Sequence, residues 1–109
     1  MNPLELAQMM KNLNQQMEKT RTQKEKIDAA LKAQTITGSA GAGLVEIKIN
    51  GMYEVDDVSI DETLLSKENK SVLETLIASA FNEACSSVES VRETEMRKSL
   101  QDMFGGMKA

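Results

Sequence analysis

Apolar residues recur along the chain in three different rhythms. From Met10 to Leu31 they step by four and three (Met10, Leu13, Met17, Thr20, Lys24, Ile27, Leu31), a heptad spacing that lays one helix along another. Thr20 and Lys24 interrupt this seam, and Lys24 fits there by resting its methylene stem on the seam with its ammonium in water. Asn2 as N-cap, Pro3 at the first helical position and Glu5 in the first turn mark a helix start. The pattern predicts a helix over 3–32, a rod of roughly 40 Å. That is longer than a compact chain of this size needs, so part of it should project.

The rhythm then becomes period two. Val45, Ile47 and Ile49 alternate with Glu46 and Lys48, Asn50-Gly51 offers two positive-φ positions for a tight turn, and Tyr53, Val55, Val58 and Ile60 answer in a second run. This predicts a β-hairpin. Its second run changes phase at Asp56-Asp57, the mark of a bulge or an edge. The β-branched residues of Ala33–Thr37 predict a preceding strand, so a three-stranded sheet falls within 33–60, with Gly38–Gly43 as a flexible connection. A helical turn is expected over 62–65, with Leu64 and Leu65 covering the sheet end and Ser66 as N-cap of a second long helix.

A helical rhythm returns over 67–104, where Leu73, Leu76, Ile77, Ala80, Phe81, Ala84, Cys85, Val88 and Val91 form one apolar face. Beyond Val91 it thins, with Glu95 and Lys98 on its continuation, and 105–109 read as a frayed tail. The expected fold is α+β in one 109-residue domain: long helix, three-stranded antiparallel sheet, short helical turn, long helix.

Composition narrows the function. Three aromatics, no Trp and eight Met give little with which to fill a core and point to elongated helices with thin, adaptable seams. Without histidine no Ser/His or Cys/His nucleophile pair can be assembled, and zinc would depend on one cysteine plus carboxylates. The acidic group Glu54, Asp56, Asp57, Asp61 and Glu62 has no EF-hand spacing and suits a solvated edge strand. The stretch GSAGAG lacks the Lys-Ser/Thr of a P-loop and precedes a hairpin, so it reads as a turn. No enzyme, metal, cofactor or small-molecule substrate is expected. Cys85, the one cysteine, permits no intrachain disulfide and reads as a small buried residue. The N-terminus has no basic leader and no run approaches the ~20 apolar residues that span a bilayer, so a cytoplasmic protein without membrane contact is expected.

The formal net charge of −4 is unevenly spread: +2 over residues 1–32, −5 over 33–66 and −1 over 67–109. The first helix is locally basic and the hairpin acidic.

With the elements in this order, Gly38, Gly41 and Gly43, then Asn50-Gly51, then Val58-x-Ile60-Asp61 with Leu64-Leu65, and finally LETLIASAFNEA over 73–84, the chain resembles the YbaB/EbfC family of bacterial nucleoid-associated proteins from about Met9 to about Met96. The resemblance implies a tweezer-like homodimer with the small sheets as its body and the helix pairs as arms. It implies binding of double-stranded DNA by those arms with little sequence preference, and a place at the nucleoid. The strand and helix residues Val45, Ile47, Ile49, Tyr53, Val55, Val58, Ile60, Leu73 and Ile77 then serve the core and the dimer. If the first helix runs towards the sheet and the last away from it, the distal arms bring Lys11, Lys19 and Arg21 near Arg92, Arg97 and Lys98 as candidate phosphate contacts. Interspersed glutamates allow each cation to be an ordinary solvated residue instead. A second reading makes the chain a helical assembly factor whose Met9, Met10, Met17, Met96 and Met103 grip a partner helix.

Overall fold

The computed structural model describes residues 2–105. Helix α1 spans Pro3–Lys32; strands β1 (Ile36–Ala40), β2 (Val45–Ile49) and β3 (Val55–Ile60) come next; two 3-10 turns, Glu62–Leu64 and Lys67–Asn69, lead into helix α2, Lys70–Gly105. The Asn2 side chain caps α1, its Oδ1 accepting the Glu5 N–H at 2.7 Å. The class is α+β, as the periodicities predict. The radius of gyration is 22.0 Å and the extents are 77 × 32 × 18 Å, against about 13 Å for a compact chain of this length. Most of the length is helix.

The sheet is antiparallel in the order β1-β2-β3. Val45, Ile47 and Ile49 point to one face and are buried beneath α2, whose Ala80, Ala84 and Val88 are also buried. Small residues on α2 let helix and sheet approach closely. At Gly38 the approach is so near that an added Cβ would lie 2.1 Å from the Ala80 carbonyl oxygen. For this reason the first strand runs through Gly38 to Ala40, three residues past the expected Thr37. The turn is confined to 41–44, where Gly41, Ala42 and Gly43 take positive φ.

The phase change in the second hairpin run is a bulge. Val45 pairs with Ile60 and Ile47 with Val58, then Lys48 pairs with Asp57 while Ile49 pairs with Val55, which leaves Asp56 as the extra residue. The bulge returns Val55 to the face that carries Val58 and Ile60. That face of β3 is nevertheless open: α2 lies over β1 and β2, and both Val55 and Val58 are 47% exposed. Within one chain they are therefore not core residues.

The expected tight turn at Asn50-Gly51 is corrected. Neither residue has positive φ; the left-handed residue is Tyr53, at φ 61°. The connection is a loop from Asn50 to Glu54 held by the Asn50 side chain, which is only 4% exposed. Its Oδ1 accepts the N–H groups of Met52 (2.8 Å) and Glu54 (3.0 Å), and its Nδ2 donates to Glu54 Oε1 (3.0 Å). Buried side-chain hydrogen bonds replace the mirror-image turn that the dipeptide suggests.

Two smaller expectations also change. Ser66 makes no side-chain cap; it opens the second 3-10 turn, and α2 starts at Lys70. Leu64 is buried against Val45, Ile47 and Ala80, but Leu65 faces solvent. Gly105 is still helical, and the expected fraying of 106–109 lies outside the described residues.

Candidate nucleic-acid interface

Helix α1 runs towards the sheet and α2 away from it, so the two are antiparallel neighbours. Their contact is anchored by Leu31, fully buried near the sheet, and by Gln23, whose Nε2 donates to the hydroxyl of buried Ser99 further out. Between these points Ile27, Leu100, Met96 and the Lys24 stem line a shallow cleft, and Met103 reaches the level of Lys19 and Thr20. Earlier residues of α1 have little against them: Leu4, Leu6, Met10, Leu13 and Met17 are all half or more exposed. The N-terminal half of α1 is the projecting part that its length predicts.

Charge separates along this long axis. Helix α1 together with residues 96–105 carries eight Lys/Arg and five Asp/Glu, whereas residues 33–95 carry four and twelve. The body is thus −8 and the arm region +3, and among the described residues only the arm carries more cations than acids.

The six cations picked out from sequence do not form one group. Lys11 and Lys19 stand on exposed turns of α1, Arg97 on exposed α2, and none of the three forms a salt bridge among the described residues. Arg21 pairs with Glu18 one turn back, and that hydrogen bond and negative charge hold its guanidinium above the usual arginine range. Lys98 lies 3.9 Å from Glu95. Arg21 and Glu18 are both exposed, and Lys98 is exposed although Glu95 is largely covered; the cations keep a solvent-facing side, so each pairing can be exchanged for a phosphate. Arg92 is elsewhere. It sits at the sheet end of α2, half-buried, with Nη1 donating to the Gly51 carbonyl at 2.9 Å and its guanidinium 5.7 Å from the centre of the Tyr53 ring. Arg92 leaves the distal set because a backbone acceptor and an aromatic face near the sheet hold it.

Sequence reasoning missed Ser99 and Gln23, since a serine and a glutamine on long helices look like solvated residues. It also missed the bracketing role of Asn50, whose signal was read as turn propensity. No group of three or more metal-ligating side chains occurs among the described residues, and no helix there is long and apolar enough to cross a membrane.

The model of the YbaB/EbfC DNA-binding family matches residues 5–103, from the first turn of α1 to the last turns of α2. The chain belongs to that family. A nucleoid-associated protein of Rickettsia bellii is 40% identical over 97 residues, covering 86% of this chain and 91% of its own. The crystal structure of an uncharacterized protein from Helicobacter pylori has the same fold with a TM-score of 0.61 at 27% identity, covering 72% of this chain and 90% of that one. The resemblance carried by the glycines and by LETLIASAFNEA is therefore a family relationship, and this family member places its cations on helices that extend beyond an acidic sheet.

Proposed function

We propose that this chain is a non-enzymatic, nucleoid-associated protein that grips the backbone of duplex DNA as a homodimer, with little sequence preference. The observation that carries the reading is the separation of charge: in a member of a DNA-binding family, a molecule of net −4 keeps its cation-rich surface on the projecting helices. The phosphate contacts are Lys11, Lys19, Arg21, Arg97 and Lys98, which position the protein on the backbone without reading bases. Aromatic side chains are absent from these arms before Phe104, which disfavours stacking on single-stranded bases.

The dimer is supported by the open face of β3. Val55 and Val58 continue the apolar surface of Val45, Ile47 and Ile49, yet α2 of the same chain does not reach them. Phe81 on α2 is exposed as well. A three-stranded sheet whose edge strand leaves Val55 and Val58 bare gains stability by covering them with a second copy.

The test is a mobility shift on linear duplex DNA over a range of salt, with the Lys19→Glu/Arg21→Glu double variant alongside. Observed affinity falls with salt at a log-log slope of about −0.9 per phosphate neutralised, and the variant binds more weakly and with a shallower slope. Both positions are exposed, so the variant keeps the wild-type melting temperature within about 3 °C. Unchanged affinity removes these two residues from the interface. The exposed Met10, Met17, Met96 and Met103 favour a second reading, a partner helix held on the arms. That reading gains if the protein ignores duplex DNA at physiological salt.

A further inference from the structure

The contact between α1 and α2 is thin, yet the spacing of their ends decides where the arm cations stand. A single residue, Gly51, bridges the two helices at the sheet end. The Gly51 N–H donates to the Leu31 carbonyl in the last turn of α1 at 2.8 Å, and the Gly51 carbonyl accepts from Arg92 of α2 at 2.9 Å. The site is built closely: a Cβ at Gly51 would lie 2.6 Å from the Leu31 oxygen. Arg92 chooses this arrangement over the obvious one. Glu89 and Glu93 line the same shallow surface hollow on its own helix, yet among the described residues Arg92 forms no salt bridge with them and instead stacks on Tyr53 and donates to the backbone. Tyr53 is brought there by a left-handed backbone, φ 61°, in a loop that buried Asn50 holds rigid.

We infer that Arg92 is a positioning residue: its hydrogen bond to Gly51 and its contact with Tyr53 lock the loop against both helices and set the angle at which α1 stands from α2. It does so without touching DNA. Arginine suits the role because its planar fork donates to a carbonyl and stacks on a ring at once, which a lysine does less well. Holding the arms at one spacing before DNA arrives removes an ordering cost from binding, so loss of the lock appears as weaker binding with the count of phosphate contacts unchanged. The effect on affinity rests on the DNA-binding function proposed above; the effect on helix spacing does not.

The experiment separates the two. Spin labels at Asn14→Cys and Gln101→Cys in a Cys85→Ser background, diluted into unlabelled protein, report the α1–α2 distance within one protomer by pulsed electron resonance. Arg92→Gln broadens that distribution at least twofold, lowers duplex affinity about tenfold and leaves the log-log salt slope unchanged. Tyr53→Asn alters no charge and keeps a residue tolerant of positive φ; it broadens the distribution in the same direction, and it decides the question if the arginine variant does not fold. A phosphate-contacting Arg92 would instead flatten the slope by about 0.9 per protomer with the distance unchanged, and that result overturns the inference. So does a distribution as narrow as wild type in both variants. If the wild-type protein fails to retain duplex DNA, the proposed function falls, while the distance measurement still judges the lock.

Discussion

Gly38→Ala is the most severe small change the fold offers, and its size can be worked out. The new methyl would stand 2.1 Å from the Ala80 carbonyl oxygen, 2.6 Å from the Ala84 nitrogen and 2.7 Å from the Ala84 Cβ, where ordinary contact begins at 3.4 Å. The first two are main-chain atoms of α2, so no rotamer change relieves the clash; helix and strand must separate by about 1.3 Å. Beneath α2 lie Ile36, Val45, Ile47 and Ile49, all buried, each contributing about 1.5–3 kcal/mol when fully covered. A gap of 0.5–1 Å already forfeits a quarter to a half of the dispersion well. The loss is therefore about 2–6 kcal/mol, centred near 3, out of a total stability of about 5–15. Thermal melts followed by far-ultraviolet circular dichroism, at equal protomer concentration so that any association contributes equally, should show Gly38→Ala melting more than ~10 °C below wild type. Gly43→Ala is the control. Its Cβ meets only Glu46 Oε1 at 3.8 Å, though φ is +90°, so it carries backbone strain without a clash and costs about 1–2 kcal/mol. If Gly38→Ala melts no lower than Gly43→Ala, close approach is not what fixes the glycine.

The loop and the open strand carry two further expectations. Asn50→Ala leaves the Met52 and Glu54 N–H groups without their acceptor and should destabilise by about 2–3 kcal/mol, read as a lowered melting temperature; a melt within ~2 °C of wild type would mean that water replaces the side chain at no cost. Val58→Glu places a charge on the bare apolar face and, on the proposed homodimer, should shift sedimentation towards monomer relative to wild type at equal concentration, without loss of helical signal; an unchanged sedimentation profile would put the proposed interface elsewhere.

Much of the fold was legible because its signals are local. Asn2-Pro3 and the heptad steps define α1 to the residue at both ends, and the alternation of Val45–Ile49 defines β2. The parity change at Asp56-Asp57 announced the bulge that the register displays. The candidate interface was legible in one respect only, the excess of cations on the first helix. Which cations are free to meet a phosphate was not, since Arg92 and Arg97 are chemically identical in a sequence and differ only in what folds against them.

The period of each segment, the order of the elements and the net charge of each were written in the chain alone, because these depend on residues a few positions apart. Contact between distant segments decided everything else. Gly38 lies within a strand rather than a loop because α2 passes over it; Asn50-Gly51 adopts no mirror-image turn because Leu31 holds the Gly51 N–H and Arg92 its carbonyl; Ser99 is buried because Gln23 meets it. The physical reason is common to all three: a close approach is set by the packing of two backbones, and no propensity of either segment alone encodes the distance between them.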